Sequence, residues 1–130
     1  MVLRISSKLH RQLLGLGAAS PEFEVCGLLV GRDCVERIIY ATNVAADRRR
    51  SFEIDPAILF AAIRTERAGG EKLYGYYHSH PMGPPIPSPS DVAQASADGR
   101  IWLIIAQGQA AAWSLNSAKM FSMVPIEFTD

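Results

Sequence analysis

Cysteine is scarce in this chain of 130 residues, at two positions only, Cys26 and Cys34. The pair makes neither a disulfide framework nor a zinc-finger spacing, which excludes a stapled secreted scaffold and favours a reducing cytoplasm. An excess of one charge is missing too. Lys and Arg number 13, as do Asp and Glu, so there is no basic field to draw nucleic acid or an anionic membrane, and neither is expected as a partner. Long apolar runs are also lacking. The longest uncharged stretch, Ile101 to Ala118, is broken by Gln107, Gly108, Gln109, Ser114, Asn116 and Ser117 and reads as two strands around a turn rather than a membrane span. Arg4, Lys8 and Arg11 ahead of Leu13 to Ala19 imitate a signal peptide, but the run is short, holds two glycines and fits an amphipathic helix. With no internal repeat, linker or low-complexity tail, residues 1–130 are expected to form a single domain around one core.

Histidine is rare as well, at three residues, and two of them fall in His78-Ser79-His80-Pro81. The preceding Leu73-Tyr74-Gly75-Tyr76-Tyr77 reads as a strand, so alternation places both imidazoles on the face of Tyr74 and Tyr76, where they can share one ion. Two histidines rarely hold a catalytic metal alone, and Asp91, just past the proline-rich run Met82 to Pro87, is the nearest third ligand. Three protein ligands leave a position open, as in catalytic zinc sites. The competing reading is structural, because a His-x-His pair on a strand is more often not a ligand pair. Ser88-Pro89-Ser90-Asp91 also fits a helix start, with Ser88 as N-cap, Pro89 at the first helical position and Asp91 reaching back to the cap. The two readings are compatible.

Elsewhere the pattern alternates strands and helices. Leu3 to Ile5 is a short strand, and Ser6 or Ser7 caps a helix with Leu9, Leu13 and Leu16 on one face, loosened at its end by Gly15 and Gly17, with His10 facing solvent. Glu24 to Gly31 is a buried central strand opening on an acid, which pattern alone makes an ordinary strand-end residue; Cys26 reads as a small buried side chain. Val35 to Tyr40 returns, and Asn43 to Arg50 is a polar loop with three consecutive arginines. Ser51 to Ile54 alternates as a strand, and Asp55-Pro56 starts a helix with Ile58, Leu59, Ala62 and Ile63 buried, ended by Gly69-Gly70. A short helix from Pro89 to about Ala97, then strands at Ile101 to Ala106, Ala110 to Leu115 and Met123 to Phe128, complete an α/β or α+β domain with a central sheet flanked by two larger helices.

Glu24-Val25-Cys26-Gly27, His78-Ser79-His80-Pro81, Ser88 and Asp91 together resemble the signature of the JAMM/MPN+ zinc metalloproteases: an upstream glutamate, then His-x-His-Pro, six residues, Ser, two residues and Asp. Ser51 to Pro56 followed by a helix resembles the segment these domains carry before the histidine strand, so the likeness covers nearly the whole chain. The resemblance implies a cytidine deaminase-like fold with a mixed sheet and one Zn2+ per chain on His78, His80 and Asp91. It also implies that Glu24 is the acid/base and that Ser88 faces the scissile carbonyl. Amide hydrolysis at zinc does need a non-ligand carboxylate to move protons and a donor for the developing oxyanion. The implied substrate is a ubiquitin-like or sulfur-carrier protein cut after its C-terminal diglycine, its tail adding to an exposed sheet edge. A non-catalytic MPN scaffold, a RadC-like branch and an iron site on the same ligands are the alternatives.

Overall fold

The computed structural model describes residues 1–130. A six-stranded mixed sheet runs in the order β3-β2-β4-β5-β6-β7, and a separate parallel pair joins β1 to β8. The strands are β1 (Leu3–Ile5), β2 (Cys26–Gly31), β3 (Arg37–Ala41), β4 (Lys72–Ser79), β5 (Ile101–Ala106), β6 (Gln109–Leu115), β7 (Phe121–Val124) and β8 (Ile126–Phe128); the helices are α1 (Ser7–Ala18), α2 (Pro56–Arg67) and α3 (Pro89–Gln94). Only β4 and β5 are parallel neighbours in the large sheet, joined through the proline loop and α3. The centre of the sheet is buried on both faces, which is why β2 and β5 are almost wholly apolar.

Alternation sends each strand's residues to two cores. Leu29, Tyr77, Leu103 and Ile105 meet Leu13 of α1, while Leu28, Val30, Trp102 and Phe52 meet Ala62 of α2. Local chemistry starts both long helices as expected: Ser6 Oγ accepts from Leu9 N–H, and the Asp55 side chain accepts from Ala57 N–H ahead of Pro56.

Several expectations are corrected. Tyr74 does not share the face of the histidines. β4 pairs Leu29 with Gly75 and Val30 with Leu73, so Tyr74 is the extra residue of a β-bulge and turns to the α1 core, while Tyr76 stays with His78. Ser51 to Ile54 is not a strand; only Ile54 forms a bridge, to Asn43. Glu24 and Val25 precede β2, and α3 stops at Gln94. The C-terminal strand splits at Pro125: β7 closes the large sheet, and β8 pairs with β1. Gly17 does not loosen α1 but lets it approach β5, because a Cβ there would lie 2.7 Å from Ile105 Cγ2. His10 is half-buried, edge-on to Phe128 at 5.1 Å.

Candidate metal centre

β4 runs antiparallel to β2 and parallel to β5, so its carboxyl end meets the start of β2 on one side and the end of β5 on the other. Cys26 pairs with His78, Ser79 N–H donates to Val25 O (3.0 Å), and His80 N–H donates to Ile105 O (2.8 Å). Ser79, the residue between the histidines, turns to the other side and accepts Val25 N–H on its Oγ at 3.0 Å. This register brings Glu24, fifty-odd positions earlier in the chain, beside the histidines.

His78 Nε2, His80 Nε2 and Asp91 Oδ2 converge, with separations of 3.2 Å between the rings and 3.1 and 3.0 Å from each ring to the carboxylate. A tetrahedral ion with ligand bonds of about 2.0–2.1 Å sets its ligand atoms about 3.3 Å apart, so three donors at this spacing suit it. The protonation pattern points the same way. A carbonyl can only accept, so His80 Nδ1, 3.0 Å from Pro84 O, carries a hydrogen, and in the neutral imidazole Nε2 then presents a lone pair toward the carboxylate. Lone pairs facing one another in a buried site require a cation or a proton between them. The three residues form a group able to hold a metal ion.

Asp91 is placed by the capping box anticipated from Ser88 and Pro89. Ser88 N–H donates to Asp91 Oδ2 (2.9 Å), and Asp91 N–H donates to Ser88 Oγ (3.1 Å). Capping and convergence on the histidines coexist in one carboxylate. Burial pushes Asp91 up, but the hydrogen bonds to His78 and His80 and from Ser88 outweigh it and hold the carboxylate well below its ordinary value. His78, fully buried, is pushed down; at His80 the Asp91 and Pro84 hydrogen bonds overcome the burial and raise it.

Glu24 is 4% exposed and its Oε1 has no hydrogen-bond partner. Burial raises its carboxyl to about 8, opposed by His80 and reinforced by Asp91 and Asp47. A pattern that reads as a solvated strand end is thus an unpaired buried acid. Cys26 is buried in the α2 core, its thiol pushed up to about 12 by burial and then by Glu24, in keeping with a structural role.

Four contributors escaped sequence reasoning: Phe52, Trp102, Asn43 and the Arg48 carbonyl. Phe52 stacks on His78, with centroids 4.1 Å apart and planes 18° from parallel, and Trp102 meets the same ring edge-on at 5.6 Å. His78 Nδ1 has no hydrogen-bond partner, so these rings restrain the imidazole beside its Nε2 contacts with Asp91 and His80. Asn43 uses all four of its hydrogen-bonding sites: Nδ2 donates to Glu24 O (2.9 Å) and Ser51 O (3.1 Å), and Oδ1 accepts from Ala45 N–H (3.0 Å) and Glu53 N–H (3.1 Å). It therefore ties the main chain of Glu24 to the segment carrying Phe52. The arginine loop is also more than a solvated turn. Arg48 O accepts Glu24 N–H at 2.8 Å, and the guanidinium groups of Arg48 and Arg49 lie 4.9 and 5.3 Å from the Phe23 ring centre. An asparagine between two apolar segments was the available signal for the role of Asn43; nothing local signals the other pairings.

The profile of the family described as prokaryotic homologs of the JAB domain, Prok-JAB, matches residues 6–118. The chain belongs to this family. Among its relatives, a desampylase of Haloferax volcanii is 37% identical over 90 residues, 67% of this chain and 65% of that protein. A probable TtuB-protein conjugate cleaving protease of Thermus thermophilus is 40% identical over 72 residues, 55% and 49% of the two chains. A desampylase of Pyrococcus furiosus is 32% identical over 112 residues, 83% and 78%. The Prok-JAB chain thus spans less than two thirds of the first two. A solution structure of a Desulfitobacterium hafniense protein superposes with a TM-score of 0.84 at 24% identity, covering 99% of this chain and 94% of that one. A JAB1/MPN domain protein from Archaeoglobus fulgidus superposes at 0.62 and 19% identity, covering 95% and 98%, so this Prok-JAB chain has the JAB1/MPN fold. No helix is long and apolar enough to cross a membrane.

Proposed function

We propose that this Prok-JAB chain is a zinc-dependent peptidase or isopeptidase. In this reading it hydrolyses the amide bond after the C-terminal diglycine of a ubiquitin-like or sulfur-carrier protein, acts as one domain over residues 1–130, and works in the cytoplasm. The observation that carries this reading is the convergence of His78, His80 and Asp91 within 3.2 Å of one another, with the unpaired buried carboxyl of Glu24 in electrostatic reach of His80 and Asp91. Relatives named for desampylation and for cleaving TtuB conjugates support the substrate class.

His78, His80 and Asp91 would hold one Zn2+, which when bound supplies Lewis acidity for activating water and polarising a carbonyl. Glu24 takes the proton of the attacking water and passes it to the leaving nitrogen as the C–N bond breaks, leaving a carboxylate-terminated carrier and a free amine. A carboxyl raised to about 8 by burial is suited to exchanging a proton near neutrality. Ser88 Oγ already accepts Asp91 N–H, so its own hydrogen is free to donate to the oxygen on which charge develops. The sheet edges are β3 and β7. β3 ends at Ala41, which pairs with Cys26, so an open edge reaches the same end of the sheet as the site and suits an extended tail.

The test combines metal analysis with turnover on a ubiquitin-like protein ending in diglycine plus a short extension. Wild type should carry one zinc per chain and cleave; His78→Ala/His80→Ala should lose both. Glu24→Gln should keep the zinc and lose about a hundredfold or more in kcat. Zinc-loaded wild type that leaves such substrates intact would favour the scaffold reading. Near-normal turnover by zinc-loaded Glu24→Gln would remove Glu24 from the mechanism.

A further inference from the structure

The segment from Pro81 to Pro87 contains Pro81, Pro84, Pro85 and Pro87, so it has few backbone N–H groups with which to anchor itself. Ile86 N–H folds back on Pro84 O at 2.8 Å. Met82 and Ile86 are exposed, at 86% and 52%, so neither of these two side chains docks the loop. Two side chains reach it from the sheet end. His80 Nδ1–H donates to Pro84 O at 3.0 Å, and Trp113 Nε1–H donates to Pro85 O at 3.1 Å. The two acceptors are successive carbonyls of a proline pair, whose φ angles are locked by their rings, so fixing one restricts the other.

Trp113 lies on β6 directly across from Trp102 of β5, and Trp102 is the residue edge-on to His78. Neighbouring tryptophans on the same face thus address the two histidines by different routes, one by ring contact and one through the loop.

We propose that Trp113 is a positioning residue for His80: its indole N–H holds the Pro84-Pro85 turn in place, and the Pro84 carbonyl in turn keeps the His80 proton on Nδ1 and the Nε2 lone pair aimed at His78 and Asp91. The consequence for metal affinity rests on the zinc reading given above; the consequence for the tautomer does not. A hydrogen-bond partner of a metal-binding histidine typically accounts for ten- to a hundredfold in affinity. Trp113 acts one peptide further out, so the lower end of that range applies.

Trp113→Phe keeps an aromatic ring on β6 and removes the N–H. Zinc affinity is measured by competition with a chromophoric chelator, and the His80 tautomer by two-bond 1H–15N correlation on metal-free protein above its titration. Expected are about tenfold weaker zinc binding, a shift of His80 from the Nδ1–H form toward a tautomer mixture, and little change in the metal-free unfolding midpoint. Should the variant unfold early, protein with 3-benzothienylalanine at position 113 keeps the bicyclic shape and replaces the N–H by sulfur. Wild-type affinity and an unchanged tautomer in either replacement would overturn the proposal. If wild type itself binds no zinc, the metal reading fails, and the tautomer comparison still decides the positioning of His80.

Discussion

Replacing Glu24 by glutamine tests the electrostatics of the site in the metal-free protein, before any turnover is measured. The carboxyl sits at about 8 in the folded chain against an ordinary 4.5, the cause being burial. The folded state therefore holds a proton that the unfolded chain releases, and stability falls as pH rises through the window from 4.5 to about 8. Below that window both states are protonated and the residue contributes no pH dependence; above it the full penalty of burying the charge is present. The difference corresponds to roughly 5 kcal/mol at about 1.4 kcal/mol per pH unit, of which roughly 3 kcal/mol develops between pH 5 and 8. Glutamine has the same shape and does not titrate. Urea unfolding in the presence of a chelator, at intervals from pH 5 to 8, should show wild type losing about 3 kcal/mol more than Glu24→Gln over this range. His78, His80 and Asp91 are present in both proteins, so the difference between the two curves belongs to Glu24 and its coupling to His80, Asp91 and Asp47. Parallel curves would show that the carboxyl is solvated in solution and would refute the buried, neutral acid.

Three further outcomes are expected. Asn43→Ala removes four hydrogen bonds of 2.9–3.1 Å and should destabilise the metal-free fold by about 2–4 kcal/mol, read by urea unfolding; a loss under about 1 kcal/mol would mean that water replaces it freely. Phe52→Leu gives up the stack on His78 and the edge contact with Trp102 and should cost about 1–3 kcal/mol, with weaker zinc binding in the same chelator competition; unchanged binding would show that His78 needs no aromatic support. Replacing Arg48, Arg49 and Arg50 by serine leaves the Arg48 carbonyl to hold Glu24 N–H and should raise KM for an acidic carrier protein, more at low salt than at high, with kcat little changed; identical kinetics at both ionic strengths would exclude a docking role.

The sequence by itself determined what depends on near neighbours. Two imidazoles two residues apart at a strand end must share a face, a Ser-Pro-Ser-Asp run must begin a helix with its acid turned back on the cap, and Asp55-Pro56 must start another. These local rules place His78, His80, Ser88 and Asp91 within one short strand-loop-helix segment; the roles expected of Ser88 and Glu24 came from the family resemblance. Tertiary structure decided what depends on register. Glu24 becomes a buried acid because β2 runs antiparallel to β4 with Cys26 opposite His78, an alignment made by hydrogen bonds between residues more than fifty positions apart. Tyr74 leaves the histidine face because one bulged residue reverses the alternation. Phe52 reaches His78 from a segment that pairs too little to be a strand, held by an asparagine whose four partners are spread from Glu24 to Glu53. Pro125, which cannot donate to a ladder, divides the last strand between two sheets. Periodicity records which way a side chain points along its own element; which element it then meets is set by strand pairing and core packing, and those energies are shared among residues distant in the chain.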